Sequence, residues 1–156
     1  MKIIERNKES ISQGAKLDNI FNYLKDFKQD YVMWVNGCFP FLEVETIAFA
    51  GNFFRTYDKI KSLHCVKKRK NWFWKDNKPL NIKSKSHSRT QDSLSIYESV
   101  HCFHIFNRKY LLKNCAYWNF TKDNPFLYEV EDSKEFLDID TELDFKICEG
   151  LWRKNI

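Results

Sequence analysis

The stretch HCFHIF, residues 101–106, sets His101, Cys102 and His104 within four positions. Imidazole and thiol are the side chains that hold zinc or move protons near neutral pH. The spacing does not suit one shared ion. Side chains alternate along a strand, so His101 and His104 are expected on opposite faces. A site would need His64, His87 or Cys115 brought in by folding, and the chain has no paired cysteine or histidine motif. No metal ligand set and no cofactor is therefore expected. Acid–base chemistry is a second use of the same residues. Two histidines with a lysine can cleave RNA without metal, one taking the 2′-hydroxyl proton and the other protonating the leaving oxygen. His87 with His101 or His104 would form that pair. Ordinary hydrogen-bonded histidines are the plainer expectation.

Carboxylates recur two apart, as Glu43/Glu45, Glu129/Glu131 and Asp138/Asp140. In extended chain each pair shares a face and can offer oxygens to Mg²⁺ or take part in proton transfer. A solvated acidic face is the simpler reading. Four scattered glycines make no phosphate loop, and no Gly-x-Ser-x-Gly elbow is present. Cys38 follows a turn signal, but nothing near it in sequence would activate it as a nucleophile.

HCVKKRKNWFWK, residues 64–75, carries a different chemistry. Lys67, Lys68, Arg69 and Lys70 stand against Trp72, Phe73 and Trp74. On a strand the two indoles share a face. If that face is open, it stacks bases while the cations beside it meet phosphates. Stacking contributes roughly 1–3 kcal/mol per base. Lys78, Lys83, Lys85 and Arg89 follow in the next segment and would reach the same ligand. The competing expectation is that Trp72 and Trp74 belong to the core and the lysines only solubilise.

Charge supports the first of these. The net +5 hides a basic middle: residues 53–122 carry +12, residues 123–156 carry −6, and residues 1–52 are nearly neutral. An acidic end can shield a basic middle, or each can address its own partner. Aromatic residues make up 17% of the 156 residues, so rings must build much of the core. One domain of this length needs neither disulfides nor a structural metal. The five cysteines are odd in number and sit in apolar stretches, which predicts reduced thiols in a cytoplasmic protein. The charged start predicts no signal peptide. No segment has the roughly 20 apolar residues of a membrane span.

These side chains need elements to position them. Leu17, Ile20, Phe21, Leu24 and Phe27 form one apolar stripe, which predicts an amphipathic helix of three to four turns. YVMWV reads as a strand, and Asn36-Gly37 as a hairpin turn whose return strand is limited by Pro40. In ETIAFAGNFFRTYD a helix would carry Gly51 at its centre, at a cost of about 1 kcal/mol. A hairpin uses Gly51-Asn52 as its turn and is preferred. KIKSLHCV, NWFWK, SLSIYESVHCFHIF, KYLLKNCAYWNF, PFLYEVE and ELDFKIC read as further strands, with a tight turn at NRK and a helical turn in DSKEFLDIDT. Residues 76–92 read as a mobile basic loop.

The expected fold is a single α+β, mainly β domain spanning residues 1–156. An N-terminal helix packs on a curved antiparallel sheet of roughly six to eight strands, barrel-like in its curvature. The expected function is non-catalytic binding of nucleic acid or a nucleoprotein complex, with little sequence specificity, through Lys67, Lys68, Arg69, Lys70, Trp72, Trp74, Lys83, Lys85 and Arg89. The main alternative is an inhibitor or immunity-type protein that binds a protein partner through aromatic anchors steered by charge. A metal-independent ribonuclease and a small-ligand pocket lined by rings are further alternatives. No membrane partner is expected.

Overall fold

The computed structural model describes residues 3–82 and 89–154. It is an α+β fold of four α-helices, a mixed four-stranded sheet and a separate two-stranded hairpin. The sheet is not mainly antiparallel and does not close into a barrel, which corrects the expected architecture. Its strands are β1 (Tyr31–Val35), β2 (Leu63–Arg69), β5 (Ile96–Asn107) and β6 (Phe126–Glu129), in the order β1-β5-β2-β6. β5 runs against both β1 and β2, while β6 lies parallel to β2. Three strands therefore run one way and only β5 runs the other.

Helices cover both faces of the sheet. The helix α1 (Leu17–Ile20) tightens at Phe21 into a 3₁₀ turn over Asn22–Asp26, so the expected single helix is broken in two. Its stripe survives the break. Phe21 and Leu24 are buried against Phe106 and Leu111, with Leu17, Ile20 and Phe27 around them. The other face packs on α2 (Val44–Thr56), where Ala50 meets Leu63, Cys65, Phe103 and Ile105. Adjacent residues of β5 such as Phe103, His104, Ile105 and Phe106 thus divide between two cores, as strand alternation requires.

Three expected strand regions are helices. α2 replaces the hairpin at Gly51-Asn52. The turn signal was weaker than the gain from burying Ala50, Phe53 and Phe54 on the sheet, and Gly51 fits a helix interior with nothing within 4 Å of a Cβ placed on it. The helix is also capped from a distance. Glu135, buried on a 3₁₀ turn at Ser133–Phe136, accepts hydrogen bonds from the Glu43 N–H at 3.1 Å and the Thr46 hydroxyl at 2.9 Å. A carboxylate at a helix start satisfies its unpaired N–H groups and meets the positive end of the dipole.

α3 (Arg108–Asn114) stands where KYLLKNCAYWNF was read as a strand. Asn107 caps it by accepting from the Tyr110 N–H, and Cys115 ends it in the left-handed region at φ 51°. α4 (Glu142–Lys154) stands where ELDFKIC was read as a strand. Thr141 and Asp144 form a reciprocal cap, the Thr141 N–H donating to Asp144 at 2.8 Å and the Asp144 N–H to the Thr141 hydroxyl at 3.3 Å.

Asn36-Gly37 makes no hairpin. The Cys38 N–H donates to Asn36 Oδ1 at 3.1 Å, and the chain then leads into α2. The strand expected at NWFWK shrinks to β3 (Trp74–Lys75), paired with β4 (Lys78–Pro79) through Asp76 and Asn77, both at positive φ. The buried Asn81 amide ties this excursion down, donating to Asn71 O at 2.7 Å and Leu94 O at 2.6 Å. Among the described residues no helix is long and apolar enough to cross a membrane.

Candidate ligand pocket and histidine cluster

β2 alternates, and its three cations therefore separate. Lys67 and Arg69 face one side and line a hollow of about 220 Å³ with Glu98, Ser99, His101 and Asp138. Phe39 and Phe136 supply its apolar wall. Lys67 Nζ sits 4.6 Å from the centroid of the Phe136 ring, a cation–π contact. Desolvation, followed by the Arg69 charge, lowers the pKa of the Lys67 ammonium. Arg69 Nε donates to Glu98 Oε2 at 2.5 Å. Asp138 Oδ1 is buried and has no hydrogen-bond partner among the described residues. Burial first, then the Asp140 charge, raises the pKa of the Asp138 carboxyl. A buried oxygen without a donor is costly, and it marks a place where something else donates.

The remaining residues of the expected nucleic-acid face do not join this hollow. Lys68 points to the opposite side, with Glu129 at 3.7 Å. Lys70 is exposed. Trp72 and Trp74 are 37% and 59% exposed, so the indoles look outward and are not core. Arg89 holds Asp92 through two nitrogens, at 3.1 and 3.2 Å. Lys83, Lys85 and His87 lie outside the described residues.

The histidines converge, against the expectation from strand alternation. His64 and His104 face each other across the β2–β5 ladder. Beyond that pair, β2 advances two residues to Val66 while β5 advances five to Ser99. The extra residues of β5 form a bulge, which re-aims side chains near it. His101 therefore swings toward His104, and its Nδ1 lies 3.2 Å from His104 Nε2. His64 Nδ1 lies 2.9 Å from His104 Nδ1, and His64 Nε2 meets the Ser99 hydroxyl. Trp34 stacks on His104 at 5.3 Å, and Trp118 lies 4.9 Å from His64. Burial, then the neighbouring imidazoles, lowers the His64 pKa to about 4 and the His104 pKa to about 3. Both rings are neutral at pH 7 and sealed from solvent. Of the histidines proposed for RNA cleavage, His104 is buried, while His101 is exposed at the pocket.

Sequence reasoning missed Ser99, Glu98 and Cys65 as participants, and grouped Asp138 only with Asp140. The pocket joins residues from 39 to 138, and no local spacing marks such a set. The bulge leaves no turn residue as a signal, since residues 99–103 read as unbroken strand.

No family model matches the chain, and no curated protein matches it. Among solved structures it is similar to 4-diphosphocytidyl-2C-methyl-D-erythritol synthase from Anaerococcus prevotii DSM 20548. The TM-score is 0.56 at 15% identity, covering 90% of this chain and 68% of that one. At that identity the likeness concerns the fold alone.

Proposed function

We propose that the chain binds a small hydroxylated organic anion, of the sugar-acid, sugar-phosphate or nucleotide class, in the hollow between β2, β5 and residues 136–138. One observation carries this reading: two cations, Lys67 and Arg69, converge with His101 and with an Asp138 oxygen that has no donor among the described residues. Lys67 and Arg69 hold the carboxylate or phosphate of the ligand. Glu98, Ser99 and Asp138 accept hydrogen bonds from its hydroxyls, and the two phenyl rings cover its apolar side. Asp138 and Asp140 offer oxygens to a Mg²⁺ carried in with a phosphate. The similar synthase acts in a chemistry whose name specifies a diphosphocytidyl product, which places CTP among the ligands to try.

Thermal unfolding with CTP, CMP, glucose 6-phosphate and glucuronate, each with and without Mg²⁺, tests the proposal. A bound ligand at a hundred times its Kd adds about 2.7 kcal/mol of stability. At least one of the four should raise Tm, and the Lys67→Ala/Arg69→Ala double variant should lose that rise. No shift with any of the four, or a shift unchanged in the double variant, overturns it.

A second reading rests on the exposure of Trp72 and Trp74. With the exposed Lys70 just before them in the chain they offer a stacking surface for single-stranded nucleic acid, of the kind expected from the sequence. Quenching of tryptophan fluorescence by oligouridylate, weakening steeply with salt and lost in Trp74→Ala, is its signature. Absence of quenching at low salt removes it.

A further inference from the structure

The hydrogen bonds of His64 and His104 leave one place over. His64 Nε2 meets the Ser99 hydroxyl, and His104 Nε2 meets His101 Nδ1. When each Nε2–H is donated outward, each Nδ1 carries a lone pair. The two Nδ1 atoms face each other at 2.9 Å. Two lone pairs repel at that distance. Either one ring changes tautomer and donates to the other, or a cation lies between them.

A third soft donor is beside them. The donor atoms of His64, Cys65 and His104 all lie within 4.8 Å of one another. The Cys102 thiol at 3.1 Å and the Phe103 N–H at 3.3 Å donate to the Cys65 sulfur, and the Cys65 thiol itself donates to the Val100 and Phe103 carbonyls, the latter at 3.0 Å. An ion would have to displace that thiol proton, and the two donors aimed at the sulfur would then hold the thiolate that binds metal.

We propose that His64 Nδ1, His104 Nδ1 and Cys65 Sγ form a binding site for a d¹⁰ transition ion of the Zn²⁺ type. Zinc takes nitrogen at about 2.0–2.1 Å and sulfur at about 2.3 Å, so the imidazoles part slightly and the sulfur draws in. Ser99 and His101 stand behind the two rings and set their tautomers, as outer partners of metal-bound histidines do. Trp34 and Trp118 pack against the rings. Cys65 and His104 are 0% and 1% exposed, so the ion would be enclosed, with three protein donors and a fourth position left for a small ligand. It would pin β2 to β5 beside the bulge, where the ladder hydrogen bonds are interrupted. The site adjoins the ligand pocket, since Ser99 and His101 also line that hollow.

Chelator-treated protein titrated with Co²⁺ provides the test. The proposal expects one equivalent to bind, with visible bands of a low-coordinate ion and a near-ultraviolet sulfur-to-cobalt band, both bleached by one equivalent of Zn²⁺. Cys65→Ser removes the near-ultraviolet band, and His104→Ala removes stoichiometric binding. Cys38→Ser, at an exposed thiol, changes neither. Because Cys65 and His104 are buried, circular dichroism checks the fold of those variants. The exposed Ser99→Ala supplies a separate arm and weakens Zn²⁺ binding roughly 10–100-fold. Absence of stoichiometric Co²⁺ or Zn²⁺ binding to the wild-type protein overturns the proposal. A sulfur band that survives Cys65→Ser, or Zn²⁺ affinity untouched by Ser99→Ala, does the same. The pair is then a hydrogen-bonded one.

Discussion

The two ends of β2 hold polar side chains under opposite conditions. At the His64 end the imidazole is buried, and the partner strand places His104 and Ser99 within hydrogen-bonding reach. At the Arg69 end Lys67 and Arg69 leave the same strand face into an open hollow, where they meet Glu98 and the Phe136 ring. Beyond the strand, Trp72 and Trp74 have no ladder of the main sheet opposite them and remain exposed. What sorts these residues is the strand laid across from them, more than their own polarity. A polar group enters the interior where a partner satisfies it and stays at the rim where none does.

Acid should separate the two ends most strongly. His64 and His104 have folded pKa values of about 4 and about 3, below the ordinary 6.5. Between those values and 6.5 the unfolded chain binds more protons than the folded one. Their contribution is therefore complete above pH 6.5 and is lost as pH falls toward 4, at about 1.4 kcal/mol per group for each pH unit. The unfolding free energy of the chelated protein, from urea titrations at pH 7.5, 5.5 and 4.5, should fall by a few kcal/mol. A flat profile contradicts the sealed, neutral pair.

His104→Ala at pH 7 should follow in size, with a loss of about 3 kcal/mol in urea unfolding. It opens a cavity and strips partners from His64 and His101. A loss under about 1 kcal/mol would mean the cluster is not closed. Glu135→Ala tests a buried polar group elsewhere, the one that caps α2, and should cost about 1–2 kcal/mol. Glu135→Gln should recover part of that, because an amide oxygen still accepts; equal losses would show that charge alone matters.

The rim should respond weakly in stability and strongly in binding. Arg69→Ala removes an exposed ion pair and should shift stability by about 0.2–1 kcal/mol, while sharply reducing any ligand-induced rise in Tm. Trp74→Ala should change stability by no more than about 0.5 kcal/mol and act only on oligonucleotide quenching. A large loss of stability in either variant would erase the distinction between the two ends.

Local pattern carried part of this molecule. The runs YVMWV, LHCV, IYESVHCFHIF and FLYE are strands where alternation and β-branched or aromatic residues place them. The stripe from Leu17 to Phe27 points inward although its helix breaks at Phe21. The errors fall where local and tertiary signals disagree. Gly51-Asn52 is a strong hairpin signal, yet a helix at that place buries Ala50 and Phe53. KYLLKN and ELDFKIC each start at a cap, Asn107 and the Thr141–Asp144 box, and those caps favour helix over the strand expected there.

Residue types and their order determined the apolar stripe, the positions of the four sheet strands and the basic middle of the chain. Tertiary structure alone decided which polar groups meet. The reason is geometric: the bulge in β5 overrides strand alternation, so His101 turns toward His104, and the chain from Phe39 to Asp138 closes around Lys67 and Arg69. Contacts of that range depend on register and crossing, and neither is encoded in any short window of residues.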